Sequence, residues 1–170
     1  YEVGMSYLGY QILFSLVKTP DFADVERAYA PWIAMEREMR EHGYPLCSLE
    51  SGLQLKEFDV VGFTLQYEPC STNILTMLDL GGIPLLAEDR GDNDPIVLAG
   101  GSGALAPAPL ELFFDSFSPG DGAATLPALP QPWHALRGRR RPETLFVIAR
   151  LHTGRPPGCS AYHAPPPWTQ

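Results

Sequence analysis

The sequence predicts an α/β fold with a doubly wound, mostly parallel sheet. Two short apolar runs, Val60–Leu65 and Ile96–Ala99, have the composition of strands that are covered on both faces. Amphipathic helical segments alternate with these runs along the chain, which indicates that the strands are parallel. A buried helix over the first run is disfavoured because Gly62 and Pro69 bracket too few residues. We expect Val60–Leu65 to be the central strand, with Ile96–Ala99 beside it.

The first element is a predicted helix that follows Ser6, a residue type that often caps helices. Pro20 ends this helix. A helix so early in a doubly wound domain should follow a strand, and no strand pattern precedes it. We therefore expect the first strand of the fold to be missing from this sequence. One face of the helix carries its apolar residues: Leu8, Ile12, Leu13, Leu16 and Val17.

The next part of the chain predicts a second strand and a second helix. Val25–Ala30 has the composition of a short strand, and Pro31 breaks it. Ile33–Glu41 is a charged, amphipathic segment that ends at Gly43, as helices often do. A connector then leads to the central strand.

A third helix follows the central strand. Ser71 or Thr72 is its candidate cap, and the glycine pair Gly81–Gly82 stops it. The residues predicted to face inward are Ile74, Leu75 and Leu78.

Further along, an acidic segment with glycine and asparagine, Glu88–Pro95, predicts an exposed loop. The strand Ile96–Ala99 then runs directly into Gly100–Gly103. Pro109–Leu112 has the pattern of a short helical start, and Phe113–Phe117 is the last strand candidate.

Composition divides the chain near residue 130. Residues 1–130 hold six Lys/Arg against nineteen Asp/Glu, whereas residues 131–170 hold six Arg against a single acidic residue. The acidic body argues against nucleic acid as a partner of the folded part. Nine of the eighteen prolines fall in the last forty-five residues. We expect an α/β domain over residues 1–130 and an irregular Pro/Arg-rich tail over 131–170, with one short helix at Glu143–His152.

No catalytic or metal-binding motif is found. Cys47, Cys70 and Cys159 are too widely spaced for a disulfide framework or a zinc site, and free thiols fit a cytoplasmic location. The four histidines stand at no metal-ligand spacing, and neither Gly-x-Ser-x-Gly nor His-Glu-x-x-His occurs. No apolar run is long enough to cross a membrane, and no signal-peptide pattern is present at the amino terminus.

Candidate ligand-binding positions follow three predicted strands. Gly100–Gly101 comes directly after a buried strand, and glycine lets the backbone pass close to a ligand. A tight strand-to-helix turn is the alternative explanation of this pair. Gly120–Gly122 has the same placement, although Gly-Asp-Gly turns are also common structural solutions. Thr64 and Gln66 end the central strand, where ligands lie in open α/β sheets.

Seven segments form an ordered series over roughly residues 1–130: Tyr1–Gly9, Tyr29–Trp32, Phe58–Glu68, Asn73–Leu75, Met77–Leu80, Leu98–Gly101 and Gly120–Gly122. Together they resemble the amino-terminal domain of a radical SAM protein family. The resemblance implies a flavodoxin-like, cobalamin-binding-like fold that precedes a radical SAM barrel. That barrel would carry Cys-x-x-x-Cys-x-x-Cys, a 4Fe–4S cluster and S-adenosylmethionine, so we expect this sequence to be a fragment without the barrel and inactive alone.

The same resemblance implies cobalamin at the carboxyl edge of the sheet and the barrel of the parent chain as partner. Two features of the sequence depart from the pattern of that family. The motif Asp-x-His-x-x-Gly, which supplies the lower cobalt ligand in many cobalamin domains, does not occur, and Ala123–Ala124 stands where acidic residues are expected. A structural or substrate-docking domain that has lost the cofactor is therefore the alternative function. The residues expected to frame the cofactor are Glu2, Gly4, Met5, Ser6, Thr64, Leu65, Gln66, Tyr67, Gly100, Gly101, Ser102, Gly120, Asp121 and Gly122.

Overall fold

A three-stranded parallel sheet forms the centre of the structure, with the strand order β1-β2-β3. The strands are β1 (Val60–Thr64), β2 (Ile96–Gly100) and β3 (Ser116–Ser118). The structure is a computed structural model that describes residues 6–18, 24–67, 69–118 and Gly122. The predicted tail with its helix, and any strand before residue 6, lie outside the described residues.

β2, and not β1, is the central strand of the described sheet. The first four residues of β2 are buried, whereas β1 is only partly buried. Our prediction that Val60–Leu65 is central was therefore wrong for the described strands, although the two runs are parallel neighbours as expected. An apolar run indicates that a strand is buried, but strand order depends on how the connections cross the sheet.

The last strand is displaced from its predicted position. We expected Phe113–Phe117, and the strand covers only Ser116–Ser118. Phe113 instead closes a short 3₁₀ turn, Glu111–Phe113. Asp115 then precedes the strand, and its carboxylate accepts a hydrogen bond from the Val97 backbone at 2.7 Å. The Asp115 carboxylate, rather than a backbone carbonyl, is thus the hydrogen-bond acceptor for Val97 N.

Within the described residues, three helices accompany the sheet: α1 (Leu8–Val17), α2 (Ile33–His42) and α3 (Cys70–Leu80). None of the described helices has the length and hydropathy needed to span a bilayer. The arrangement of a parallel sheet with three helices is consistent with a flavodoxin-like fold. Gly43 ends α2 in the left-handed conformation, with φ of 66°, as the sequence predicts.

The amino ends of α1 and α3 differ from the prediction. The N-cap of α1 is Tyr7, without a side-chain hydrogen bond, so Ser6 does not cap this helix. α3 begins at Cys70 after Pro69, again without a side-chain cap. The predicted cap Thr72 lies inside the first turn, where its hydroxyl donates to the Pro69 carbonyl at 3.4 Å.

Residues 24–32 form neither a helix nor a strand, so the predicted strand Val25–Ala30 was wrong. This segment runs without a turn or bend. One backbone hydrogen bond holds it to the connector, from Leu49 N to Arg27 O at 2.8 Å. A strand needs a ladder of such bonds, and among the described residues no second strand lies in register with this segment.

The core lies between α3 and the sheet, and α3 contributes one helical face to it. Ile74 and Leu78 are buried as predicted, whereas Leu75 is only partly buried. Met77 and Leu80 complete the buried face. The apolar residues buried in this core are Met39, Leu46, Leu55, Leu65, Ile74, Met77, Leu78, Leu80, Ile83, Val97, Ala99, Leu110 and Phe114.

The predicted exposed loop Glu88–Pro95 contains a buried ion pair. Arg90 has no exposed side-chain surface and pairs with Asp115 at 3.0 Å. Three more of its guanidinium N–H groups donate to the backbone carbonyls of Pro84, Leu85 and Phe113, at 2.7 to 2.9 Å. Pro95 is also buried. The prediction of exposure was therefore wrong at Arg90 and Pro95, because this network holds the loop against the ends of β2 and β3.

Candidate functional site

The carboxyl ends of β1 and β2 lie side by side. Thr64 is the register partner of Gly100, so the loops that follow the two strands begin at the same level of the sheet. The pairing continues for one more bond, from Leu65 N to Gly100 O at 2.7 Å. The segments predicted to frame a ligand at this edge therefore do meet.

Gly101 allows the two loops to touch. Its φ of 97° is disfavoured for residues with side chains. A Cβ atom at Gly101 would lie 2.6 Å from the Leu65 carbonyl oxygen, which is far too close. A second close contact joins the same two loops: Gly103 N donates a hydrogen bond to the Leu65 carbonyl at 2.9 Å. Gly101 thus serves a close approach within the protein, whereas a Cβ atom at Gly100 would make only an ordinary contact, 3.9 Å from Ser118 O.

Uncharged polar groups line this edge. The Gln66 amide donates to the Thr64 hydroxyl, and the Ser102 hydroxyl donates to the Gln66 carbonyl at 3.0 Å. Gln66 and Ser102 are exposed, whereas Leu65 is buried and offers its backbone only. Hydroxyl and amide groups do not titrate near neutral pH. This set suits recognition of an uncharged polar surface and supplies no general acid or base.

Tyr67 flanks the edge. Its side chain is 64% exposed. A hydrogen bond with Cys70 raises the pKa of the Tyr67 hydroxyl above its ordinary value. The backbone also links the two residues, since Cys70 N donates to Tyr67 O at 3.1 Å. Tyr67 therefore offers an exposed ring beside the polar groups, close to the start of α3.

The structure describes only part of the predicted set of site residues. Ser6 is exposed at the amino end of α1, and Gly122 is the single described residue of its turn. The structure thus brings together Thr64–Tyr67 and Gly100–Ser102. The predicted site residues outside the described part are Glu2, Gly4, Met5, Gly120 and Asp121.

A groove of about 300 Å³ runs along the outer edge of β1, and the sequence analysis missed it. We call it the β1 groove. It lies beside β1 and shares Thr64 with the predicted site. No sequence motif predicts such a groove, because the groove exists only where β1 is at the edge of the described sheet. Its walls are the start of α1, residues 26–30, Phe58 and β1, and the inner face of α3.

One cluster of potential metal ligands is present among the described residues. Glu38, Glu41 and His42 lie on the exposed surface of α2. Glu38 and Glu41 both lie near Arg37, at 3.5 and 3.8 Å. The His42 ring stacks on Tyr44, with ring centroids 5.5 Å apart. Opposite charges at such spacings are usual on solvated helices, so this cluster does not indicate a metal site.

Comparison with known proteins identifies the family. No curated protein and no solved structure matches the chain. A family model described as "Radical SAM proteins, N-terminal" matches residues 9–154. The match spans most of the chain and includes both loops of the carboxyl edge. This chain therefore belongs to the family of radical SAM protein amino-terminal domains.

Proposed function

We propose that this domain binds cobalamin over the carboxyl ends of β1 and β2 and presents it to the radical SAM barrel of its parent protein. The observation that carries the proposal is the meeting of two polar loops at one edge of a parallel sheet, where ligands lie in open α/β folds. Membership of the radical SAM amino-terminal family supports the link to a radical SAM enzyme.

The donor set of this edge fits the rim of a corrin. Cobalamin carries amide groups around its ring, and these groups both donate and accept hydrogen bonds. Thr64, Gln66 and Ser102 would hold them without placing a charge against the ring. Neither described loop contains a histidine, so the proposal names no cobalt ligand from the protein. When bound, cobalamin would supply radical chemistry to the parent enzyme.

The cluster and S-adenosylmethionine belong, in this proposal, to the barrel. A 4Fe–4S cluster of this class needs closely spaced cysteine ligands. Cys47 and Cys70 are free thiols in the described part, and Cys159 is remote from both in sequence. We propose a cytoplasmic location for the parent protein, consistent with these free thiols.

A docking domain without a cofactor is the second candidate. The observation that favours it is the apolar surface of α1, where Leu8 is 70% and Ile12 49% exposed. No side chain of α1 is buried in the described structure, although the helix is strongly apolar. Clustered exposed apolar side chains often mark contact with another protein surface.

Hydroxocobalamin binding to the purified chain separates the two candidates. The cofactor proposal predicts saturable binding that is visible as a change in corrin absorbance and survives gel filtration. The double variant Gln66→Ala/Ser102→Ala should bind at least about tenfold more weakly, since each lost hydrogen bond contributes about 1 kcal/mol. The matched control is Gln11→Ala/Ser15→Ala, which removes one amide and one hydroxyl from α1 and should bind normally.

Each result has a definite consequence. A folded chain that binds no hydroxocobalamin would overturn the cofactor proposal and favour the docking domain. Equal binding by the Gln66→Ala/Ser102→Ala variant and the wild type would show that the cofactor lies elsewhere. Circular dichroism of every variant confirms that the fold is intact.

A further inference from the structure

The backbone carbonyls at the carboxyl edge are engaged within the domain. They belong to residues 65–67 of the loop after β1 and to residues 100–101 at the end of β2. The carbonyls and their donors are Leu65 O with Gly103 N at 2.9 Å, Gln66 O with the Ser102 hydroxyl at 3.0 Å, Tyr67 O with Cys70 N at 3.1 Å, Gly100 O with Leu65 N at 2.7 Å, and Gly101 O with Ala104 N at 3.1 Å. Because each carbonyl already has one partner, a ligand is not needed to satisfy them.

The backbone N–H groups of the same two loops are in the opposite situation. Those of Gln66, Tyr67, Gly101 and Ser102 have no hydrogen-bond acceptor among the described residues. Gly101 is half-buried and the other three residues are exposed, so water can reach these groups in the free chain. The Thr64 hydroxyl accepts from the Gln66 amide, and its own hydrogen has no acceptor in the described part. The edge therefore has hydrogen-bond donors that the domain itself does not use.

A ligand that covers this edge must replace the water on these donors. An N–H group that loses water without gaining another acceptor carries the full cost of its desolvation. Lone pairs also remain at the edge, for example on the side-chain oxygen of Gln66. An unused lone pair is tolerated more often than a buried N–H group without an acceptor. The balance of the two loops thus favours a ligand that presents acceptor oxygens to them.

The charges of the domain favour neutral acceptors over anionic ones. Neither residues 64–67 nor residues 100–103 include Lys, Arg or His. Phosphate sites built from backbone N–H groups commonly add such a cation, which pairs with the anion. In addition, residues 1–130 hold nineteen Asp/Glu against six Lys/Arg, and this excess of negative charge repels an anion. A carbonyl oxygen accepts hydrogen bonds without bringing a negative charge to the edge.

We propose that the carboxyl edge binds its ligand through neutral carbonyl oxygens, which accept from the N–H groups of Gln66, Tyr67, Gly101 and Ser102, rather than through an anionic group. This inference rests on the proposed binding of cobalamin and narrows it to one part of that molecule. The carboxamide side chains of the corrin carry such oxygens, whereas the phosphodiester of the nucleotide loop is the anionic alternative. The domain thus recognises the corrin rim and not the nucleotide.

Hydroxocobinamide tests the choice of group, because it keeps the corrin carboxamides and lacks the nucleotide with its phosphate. We expect the purified 170-residue chain to bind it within about threefold of the affinity for hydroxocobalamin, as measured by titration of the corrin absorbance. Inorganic phosphate at about 10 mM should compete with neither corrin. Hydroxocobinamide binding that is more than about tenfold weaker, or competition by phosphate, would mean that the edge takes an anion and would overturn the proposal.

Amide hydrogen exchange, followed by NMR, tests the donors one by one. On saturation with hydroxocobinamide, exchange at Gln66, Tyr67, Gly101 and Ser102 should slow by at least about tenfold, because each N–H gains an acceptor. The Gly103 N–H is the control within the same loop, since it is already bonded in the free chain and should change little. Unchanged exchange at the four amides in the complex would contradict the proposal. Slow exchange there in the free chain would also contradict it, because the chain would then supply the acceptors itself.

Two substitutions at Ser102 isolate a single N–H group. Ser102→Ala removes the hydroxyl and keeps the N–H, whereas Ser102→Pro removes both. Ser102 is the first residue of the 3₁₀ turn Ser102–Leu105, where the turn makes no use of this N–H and proline is tolerated. We expect Ser102→Pro to bind hydroxocobinamide about fivefold more weakly than Ser102→Ala, the effect of one lost hydrogen bond. Equal affinities of the two folded variants would argue against the role of this N–H, and the exchange measurement decides if the proline variant does not fold.

The inference and the cofactor proposal fail in different ways. If the chain binds hydroxocobalamin but the four amides stay unprotected or the phosphate proves necessary, the cofactor proposal stands and the inference is wrong. If the folded chain binds neither corrin, both are wrong.

Discussion

At the scale of the residue, the most unexpected feature is a buried arginine in a segment with loop composition. Arg90 sits between acidic residues and glycine, yet its side chain is wholly buried and Asp115 is only 2% exposed. Four hydrogen bonds hold the guanidinium in place. Since arginine cannot shed its proton, removal of its carboxylate partner would leave a charge uncompensated in the interior.

We expect Asp115→Asn to lower the free energy of unfolding by about 3–5 kcal/mol, the usual effect of breaking a buried ion pair. The control is Asp79→Asn, which breaks the Arg40–Asp79 pair at 2.6 Å. Both of those side chains are about half exposed, so the control should cost less than about 1 kcal/mol. Urea unfolding followed by circular dichroism measures both. Similar losses for the two variants would contradict the assignment of a buried network.

A second prediction at this scale concerns pH. Burial raises the pKa of Tyr10 from 10.0 to about 12, with a smaller contribution from Tyr29 beside it. The unfolded chain therefore loses this proton near pH 10, while the folded chain keeps it until about pH 12. The contribution of Tyr10 to stability is thus complete below pH 10 and lost as the pH rises towards 12.

The substitution Tyr10→Phe tests this. It should reduce the decline in unfolding free energy between about pH 9 and pH 12, because phenylalanine has no proton to lose. Tyr44→Phe, at an exposed ring, is the control and should leave the decline as it is. Urea unfolding at the two pH values provides the measurement. An unchanged decline in Tyr10→Phe would show that Tyr10 titrates like an exposed tyrosine.

At the scale of the element, two glycines with positive φ have different roles. Gly43 ends α2, and a Cβ atom there would meet nothing within 4 Å. Gly101 follows β2, and a Cβ atom there would contact the Leu65 carbonyl at 2.6 Å. The first position needs glycine for backbone conformation alone. The second needs it also for the contact between the loops of the candidate site.

We therefore expect Gly43→Ala to cost about 1 kcal/mol, the typical penalty of the left-handed conformation. Gly101→Ala should cost at least about 1 kcal/mol more, because the backbone of Leu65 must also move. Thermal unfolding of the two variants compares them directly. If Gly101→Ala were as mild as Gly43→Ala, the two loops would not be in tight contact.

At the scale of the whole molecule, membership of the radical SAM amino-terminal family raises the question of whether this chain acts alone. Its three cysteines lie far apart in the sequence, at positions 47, 70 and 159. A radical SAM cluster needs three closely spaced cysteines, and its fourth position binds S-adenosylmethionine.

We expect no reductive cleavage of S-adenosylmethionine by the purified chain after reconstitution with iron and sulfide. The reason is the absence of a closely spaced cysteine triad from the sequence. Chromatographic detection of 5′-deoxyadenosine is the measurement, with an established radical SAM enzyme reconstituted in parallel. Product above the protein-free background would refute the prediction.

The sequence by itself predicted an α/β fold with parallel strands, two of those strands, and the carboxyl ends of α2 and α3. Val60–Thr64 and Ile96–Gly100 were predictable because short apolar runs bounded by glycine and polar residues are typical of buried strands. The end of α2 was predictable because Gly43 supplies the left-handed conformation locally. The meeting of the loops after β1 and β2 followed from parallel pairing, which places both carboxyl ends at one edge.

Only the tertiary structure decided the order of the strands, the failure of Val25–Ala30 to form a strand, and the burial of Arg90. Each depends on a partner distant in sequence: a neighbouring strand for the first two, and Asp115 for the third. Local composition indicates which secondary structure a segment can form. Strand pairing and burial depend instead on which other segments of the chain pack against it. The β1 groove is of the same kind, because its walls come from five separate parts of the chain.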